Sequence, residues 1–413
     1  SLRRQRQMCI RDSLTEPHCG TDLGLLKTKA TRNADGTFSV TGQKIFISCG
    51  EHDLSENIIH LVLARIEGAP AGTKGISMFI VPKFIDSQKN SVSCGSIEHK
   101  MGIHGSSTCV MNYDGARGYL IGEENRGLNA MFIMMNSARL NVAIQGLSQM
   151  ELAYQNAVEY AKERLQGRSL TGPKNLHGSA DPILVHPDVR RMLLDVKATL
   201  EPSRLLALEA ALLCDDKSES AQERLGLLTP VLKGVLTDLG FENAVKAQQV
   251  FGGHGYIREW GMEQIVRDAR IAQIYEGANG VQAMDLIGRK LPKNMGKAIR
   301  AFFDETDKYL ADKDQFGQII LAVEDLRSAT KWLMAHAMKN PNHAGSAAYD
   351  YMRMFGLVLL GLAWVRICAA TADPTRHKTA RYFMERILPE TQFLLARIQA
   401  GSDTMMSFES DEF

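Results

Sequence analysis

The spacing of apolar residues changes once along this chain, near Gly127, and that switch limits the fold more than any other feature. Before it, short stretches alternate apolar and polar residues, the period of a half-buried strand. After it, apolar residues recur at three and four, the period of an amphipathic helix. A β-rich part followed by an all-helical part makes an α+β chain.

Segments 27–32 and 37–41 alternate on either side of Asn33-Ala34-Asp35-Gly36, which reads as a hairpin turn. Further strands are expected over 44–48, 58–65, 75–81, 91–99 and 108–113. The third of these stops at Pro82, which has no N–H for a ladder. Strands this short and evenly spaced predict a small antiparallel β-barrel or sandwich. From Leu128 through Met131, Phe132, Met135, Ala138 and Val142 the pattern is helical, and it continues through Tyr160 to near Gly167. Residues 169–188 hold Pro173, Pro182 and Pro187 among glycines and small polar residues and read as a loop. Helices over 189–214, 222–250 and 262–289, the last broken at 277–280, complete a four-helix bundle. Past Pro292, helices are expected over 297–311, 318–338, 346–372 and 375–398.

The expected domains are a β-barrel over 14–122, a four-helix bundle over 123–291, an additional C-terminal helical domain over 292–401, and a frayed polar tail over 402–413. Residues 1–13 are arginine-rich with no apolar run, so they are no secretory signal. They read as a non-native segment foreign to the fold.

Among 413 residues the net charge is +1, which gives no pull toward nucleic acid or an anionic membrane. The longest apolar run, 357–365, is interrupted by Gly361 and falls short of the roughly 20 residues that span a bilayer. Seven scattered cysteines without a Cys-x-x-Cys pair fit reduced thiols in a cytosolic or similar compartment. The expected location is a bacterial cytoplasm rather than a mitochondrial matrix. No metal site is expected, since no zinc pattern or His-Glu-x-x-His helix is present. The glycines at 167 and 172 have phosphate-loop spacing, but Pro173 stands where the lysine belongs.

One stretch carries chemistry: Gln273-Ile274-Tyr275-Glu276-Gly277-Ala278-Asn279-Gly280. Gly277 and Gly280 break the helix, so Glu276 is expected on a bend, with Ile274 and Tyr275 holding the backbone against a core. A carboxylate in an apolar wall resists ionisation and can serve as a base near neutral pH. A surface glutamate at a helix end fits the same eight residues.

Two more stretches join it: Leu14-Thr15-Glu16-Pro17-His18-Cys19-Gly20-Thr21-Asp22, and Gln249-Val250-Phe251-Gly252-Gly253-His254-Gly255-Tyr256. With Ile274-Tyr275-Glu276-Gly277 they resemble, in order and separation, the three signatures of the acyl-CoA dehydrogenase family. The resemblance covers about 14–291. Past Pro292 the chain resembles the subgroup with an added C-terminal helical domain, which includes dehydrogenases of long-chain or 3-methylthiopropanoyl thioesters.

That resemblance implies FAD as cofactor and Glu276 as catalytic base. It implies that Leu14, Thr15 and Thr21 line the flavin, with Pro17 and Gly20 shaping their loop. It implies that Phe46 stacks on the isoalloxazine and Ser48 hydrogen-bonds near N5, where the family often has Trp and Thr. Arg168 is implied to reach the pyrophosphate, and Gln249, Gly252 and Gly253 the adenine half of a neighbouring subunit's FAD. For substrate it implies Thr21, Asn136 (where an aspartate is frequent), Arg139, Tyr275 and Gly277. The plain alternatives are a buried strand at 43–48, a Pro/Gly turn at 17–20, a solvated Arg168 and an outer-face Arg139.

The implied reaction is α,β-dehydrogenation of an acyl-CoA to the trans-2-enoyl-CoA. Its electrons pass to an electron-transferring flavoprotein, in a homodimer or homotetramer without nucleic acid or membrane span. Competing readings are an acyl-CoA oxidase using dioxygen, a DNA-associated flavoprotein of the same fold with little activity, and a non-catalytic scaffold. The family opens with a helical domain before the first signature, so the resemblance implies that this domain is missing here.

Overall fold

The structure is a computed structural model and describes residues 8–313, 317–337 and 339–413. Residues 1–7 of the expected foreign segment, and residue 338 at the end of an expected helix, lie outside the described residues. The chain divides into two compact units, Ser1–Ser137 and Ala138–Phe413.

The first unit is built on strands β1 (Met8–Ser13), β2 (Lys29–Arg32), β3 (Phe38–Ser48), β4 (Asn57–Ile66), β5 (Ile76–Pro82), β6 (Phe84–Ile85), β7 (Gln88–Lys89), β8 (Val92–Ile97) and β9 (Thr108–Ile121). Seven of them form one sheet in the order β1-β4-β2-β3-β9-β5, with β8 on β9 and a further pairing of β4 with β5. Two expectations need correction. The sheet is mixed, not antiparallel, because β1 and β2 each run parallel to β4. Residues 8–13, expected outside the fold, are a strand in register with Asn57 to Val62.

The hairpin between β2 and β3 forms where the sequence marks it. Arg32 pairs with Phe38, and Asp35 Oδ1 accepts from both the amide and the hydroxyl of Thr37. The strands expected at 37–41 and 44–48 are one strand with two irregularities, between Val40 and Gly42 and between Lys44 and Ile47. Alternation fills the sheet's core with Phe38, Val40, Val62, Ala64, Phe79, Val81, Met111 and Tyr113. A smaller core gathers Cys19, Leu26, Leu63, Ile76 and Met78 around Met131. Met131 belongs to helix α1 (Gly127–Glu163), which crosses the boundary between the units. A Cβ on Gly127 would come within 2.4 Å of the Ser77 carbonyl carbon, which explains the glycine at the start of this helix.

The second unit continues α1 and adds α2 (Pro187–Asp215), α3 (Glu219–Val250), α4 (Met262–Arg270), α5 (Asn279–Asp285), α6 (Lys297–Leu310), α7 (Gly317–His336), α8 (Pro341–Ala370), α9 (Pro374–Arg386), α10 (Glu390–Gln399) and α11 (Asp403–Met406). The helix expected over 262–289 breaks earlier than Gly277. It gives way to a 3-10 turn at Ile271–Gln273, then a bend, then α5 and a π turn at Leu286–Lys290. The helix expected over 375–398 is two, parted just before Pro389, whose ring cannot continue a helix. One core runs through both expected helical stretches, from Ala143 and Val231 to Phe355, Trp364 and Ile398. By length and composition α8 is apolar enough to cross a membrane, yet 78% of its most apolar window is buried inside this unit, as in a core helix.

Candidate active site

Each unit carries one group of the expected site residues. In the first, the loop after β1 is tied to β3. Glu16 and Cys19 exchange backbone hydrogen bonds across the turn at Pro17 and His18, 2.9 and 3.0 Å long. The Ile45 amide donates to the Thr15 carbonyl at 2.9 Å, and Lys44 Nζ donates to the Leu14 carbonyl at 3.0 Å. Beneath the loop, Glu16 accepts from the amides of Lys27 and Thr28, the Thr28 hydroxyl and Lys44 Nζ. Burial would raise the Glu16 carboxyl, but Lys44, Thr28 and the Lys27 amide together hold it below its ordinary value.

This tether brings Leu14 and Thr15 beside the strand that carries Phe46 and Ser48. Phe46 is the odd residue of that strand. Its φ is +60°, a conformation rare for a bulky side chain, and the residue is 59% exposed. Strain of this kind persists where the surroundings impose it, and it collects at functional sites. Ser48, Gly20 and Thr21 are exposed as well. An exposed aromatic ring, a hydroxyl two residues on and a Gly/Thr loop fit a planar ring system bearing phosphates. Asn136 is exposed on α1.

In the second unit, Glu276 occupies a bend with φ +53°, followed by Gly277 at +83°. The bend is not the apolar wall expected. Ile274 is 50% exposed, and the Tyr275 hydroxyl donates to Gln145 Oε1. Beneath the bend lies a polar web. Lys233 Nζ donates to the Gly277 carbonyl and to Asn279 Oδ1, both at 2.8 Å. Gln282 Nε2 donates to the carbonyls of Glu276 and Gly277 at 3.3 and 3.2 Å. Arg139, expected on an outer face or a substrate arm, is buried and paired with Asp285 at 3.3 Å. Burial lowers the Lys233 ammonium to about 8, against the opposing pull of Asp238 and Glu276. The Glu276 charge also acts on Arg139. The bend thus carries a half-buried carboxylate whose charge is felt by the buried Lys233 and Arg139.

The remaining expected residues stand apart from this bend. Arg168 is held by its own loop, donating to the carbonyls of Asn175 and Gly178 and to Asp181 at 3.3 Å. The amides of Asn175, Ser169 and Lys174 and the Arg168 guanidinium hold Asp181 down at about 2. Gln249, Gly252 and Gly253 are exposed where α3 ends. Sequence reasoning missed Lys233, Asp238, Asn279 and Gln282. A usable signal was present: Lys233 and Asp238 are charges inside an otherwise apolar helical stretch of α3, positions that are buried only when paired.

Comparison with known proteins matches three family models along the chain. An acyl-CoA dehydrogenase middle-domain model matches residues 13–116, an acyl-CoA dehydrogenase C-terminal-domain model residues 125–291, and an acetyl-CoA dehydrogenase C-terminal-like model residues 296–409. The chain is 39% identical over 429 residues to 3-methylmercaptopropionyl-CoA dehydrogenase of Ruegeria pomeroyi, covering 96% of the chain and 72% of that protein. It is 33% identical to the broad-specificity linear acyl-CoA dehydrogenase FadE5 of Mycobacterium tuberculosis, covering 87% of the chain and 62% of that protein. The structure of Caenorhabditis elegans ACDH-11 in complex with C11-CoA superposes with a TM-score of 0.80 at 22% identity, covering 97% of this chain and 69% of that one. At that identity the likeness speaks for the fold.

Proposed function

Because the chain belongs to the acyl-CoA dehydrogenase family, whose members are FAD-dependent oxidoreductases, we propose that it removes two hydrogens from an acyl-CoA thioester, with Glu276 as the base. The observation that carries this reading is the Glu276 bend: a carboxylate at φ +53° whose charge acts on Arg139 and Lys233, on a backbone pinned through the Gly277 carbonyl. Glu276 takes the α-proton of the thioester, which leaves the Cα–H electron pair to form the double bond. FAD, when bound, supplies the acceptor for the hydride that departs from the β-carbon. The balance is one proton on Glu276, one hydride transferred and a trans-2-enoyl-CoA.

On this reading Phe46, Ser48, Leu14, Thr15, Gly20 and Thr21 hold the flavin. Arg168, Gln249, Gly252 and Gly253 serve its pyrophosphate and adenine, the last three on a neighbouring subunit's cofactor. Arg139 acts from beneath the bend, and Thr21, Asn136, Tyr275 and Gly277 meet the thioester or its arm. The electrons pass to an electron-transferring flavoprotein. Peroxide release during turnover in air would point to dioxygen instead.

The test is anaerobic mixing of the purified flavoprotein with straight-chain acyl-CoAs from butyryl to palmitoyl and with 3-methylthiopropanoyl-CoA, following loss of flavin absorbance. At least one of these thioesters is expected to bleach the flavin. Bleaching by none of them, with flavin bound, contradicts the reading.

A further inference from the structure

Asp238 lies on the apolar part of α3 and is 3% exposed. One of its oxygens, Oδ1, accepts from Gln273 Nε2 at 2.6 Å and from Asn279 Nδ2 at 2.7 Å. Gln273 stands three residues before Glu276 and Asn279 three residues after it. The same carboxylate oxygen therefore holds both feet of the bend. Asn279 is fixed further: its Nδ2 also reaches the Gly234 carbonyl at 3.1 Å and Thr237 Oγ1 at 2.9 Å, and its Oδ1 accepts from Lys233. The other oxygen, Asp238 Oδ2, accepts from the Tyr349 hydroxyl at 2.5 Å. Tyr349 lies on α8, inside residues 296–409, which match a separate C-terminal domain model. Hydrogen bonds to a buried carboxylate are short and strong, and the carboxylate is costly to leave underbonded.

We propose that Asp238 and Tyr349 are positioning residues for the Glu276 bend, so that the C-terminal helices are built into the reactive site and do more than extend the bundle. The inference rests on the reading of Glu276 as the base only for its effect on rate. Its structural part, that the bend is stapled at residues 273 and 279 through Asp238, stands independently. Both side chains act through the hydrogen bonds of Asp238. They act by keeping two consecutive residues at positive φ, a backbone that relaxes if either foot is released.

The experiment compares wild type with Tyr349→Phe, Asp238→Asn and Glu276→Gln. Amide hydrogen exchange is followed by peptide, and anaerobic flavin reduction is measured with whichever straight-chain acyl-CoA from butyryl to palmitoyl reduces wild type fastest. Tyr349→Phe is expected to exchange about tenfold faster in peptides covering 273–282, the factor one hydrogen bond to a charged group contributes to a local opening. Exchange in α3 and in the rest of α8 should stay within twofold. Flavin reduction should slow by a similar factor, with thioester affinity within twofold of wild type. Asp238→Asn should do the same more strongly. If it does not fold, Tyr349→Phe, which removes one hydroxyl, carries the test alone. Wild-type exchange over 273–282 in folded Tyr349→Phe overturns the proposal, as does a rise spread evenly over all helices, which marks general loosening. Glu276→Gln separates the two readings. It should exchange like wild type over 273–282, so wild-type flavin reduction in this variant removes Glu276 as base while leaving the staple intact.

Discussion

The Lys44 ammonium lies 2.9 Å from Glu16 Oε1, with both side chains closed to solvent. The pair underlies the loop of Leu14 to Thr21 and reaches the Leu14 carbonyl, so it fixes the loop against the strand of Phe46. Taking two charges out of water is expensive, and the cost is met only while both are present with their hydrogen bonds made.

Removing one partner is therefore worse than removing both. Glu16→Gln is expected to destabilise the protein by about 3–5 kcal/mol, because it strands a buried ammonium. The double variant Glu16→Gln with Lys44→Met should recover most of that loss. Urea unfolding of the three proteins measures it, and a double variant no more stable than the single one counts against the pair as the cause.

How much of this was visible beforehand follows from how local each feature is. The hairpin at Asn33 to Gly36, the end of β5 at Pro82 and the change of period near Gly127 depend on neighbours in sequence, and all three stand in the structure. The parallel pairing of β1 and β2 with β4 depends on partners tens of residues away, which no local pattern encodes. The bend at Glu276 was legible from its glycines. Its polar floor was not, because Lys233, Asp238 and Tyr349 come from two other helices and meet there only after folding. The burial of Arg139 was not legible for the same reason: its partner, Asp285, lies 146 residues on.

Lys233 gives a pH dependence with a definite sign. Its folded value, about 8, is below the ordinary 10.5, so between the two the unfolded chain holds more protons and stability rises with pH. The groups facing it are Asp238, Glu276, Arg139 and the Asn279 amide. Relative to Lys233→Met, wild type should gain about 3 kcal/mol between pH 8 and 10.5. Denaturant unfolding of both proteins across that range checks it, and a flat difference contradicts the depressed ammonium.

Gly277 is predicted to tolerate no side chain. At φ +83°, a Cβ there would meet Gln282 Nε2 at 2.3 Å and lie 3.8 Å from Arg139 Nη2. Gly277→Ala should cost about 1–3 kcal/mol of stability from backbone strain. It should also slow flavin reduction at least tenfold by turning Glu276 away. Thermal unfolding together with single-turnover reduction tests both parts, and a wild-type rate in a folded Gly277→Ala protein means that the bend does not need this backbone.

The most direct test of the account is the rate of flavin reduction by Glu276→Gln in a single anaerobic turnover, with the thioester that reduces wild type fastest. Glutamine keeps the size and the neighbours but cannot take the α-proton. The account predicts unchanged flavin content and thioester affinity, with reduction slower by about a hundredfold to ten-thousandfold, the range a positioned base contributes. Reduction at the wild-type rate would contradict it and remove Glu276 as the base.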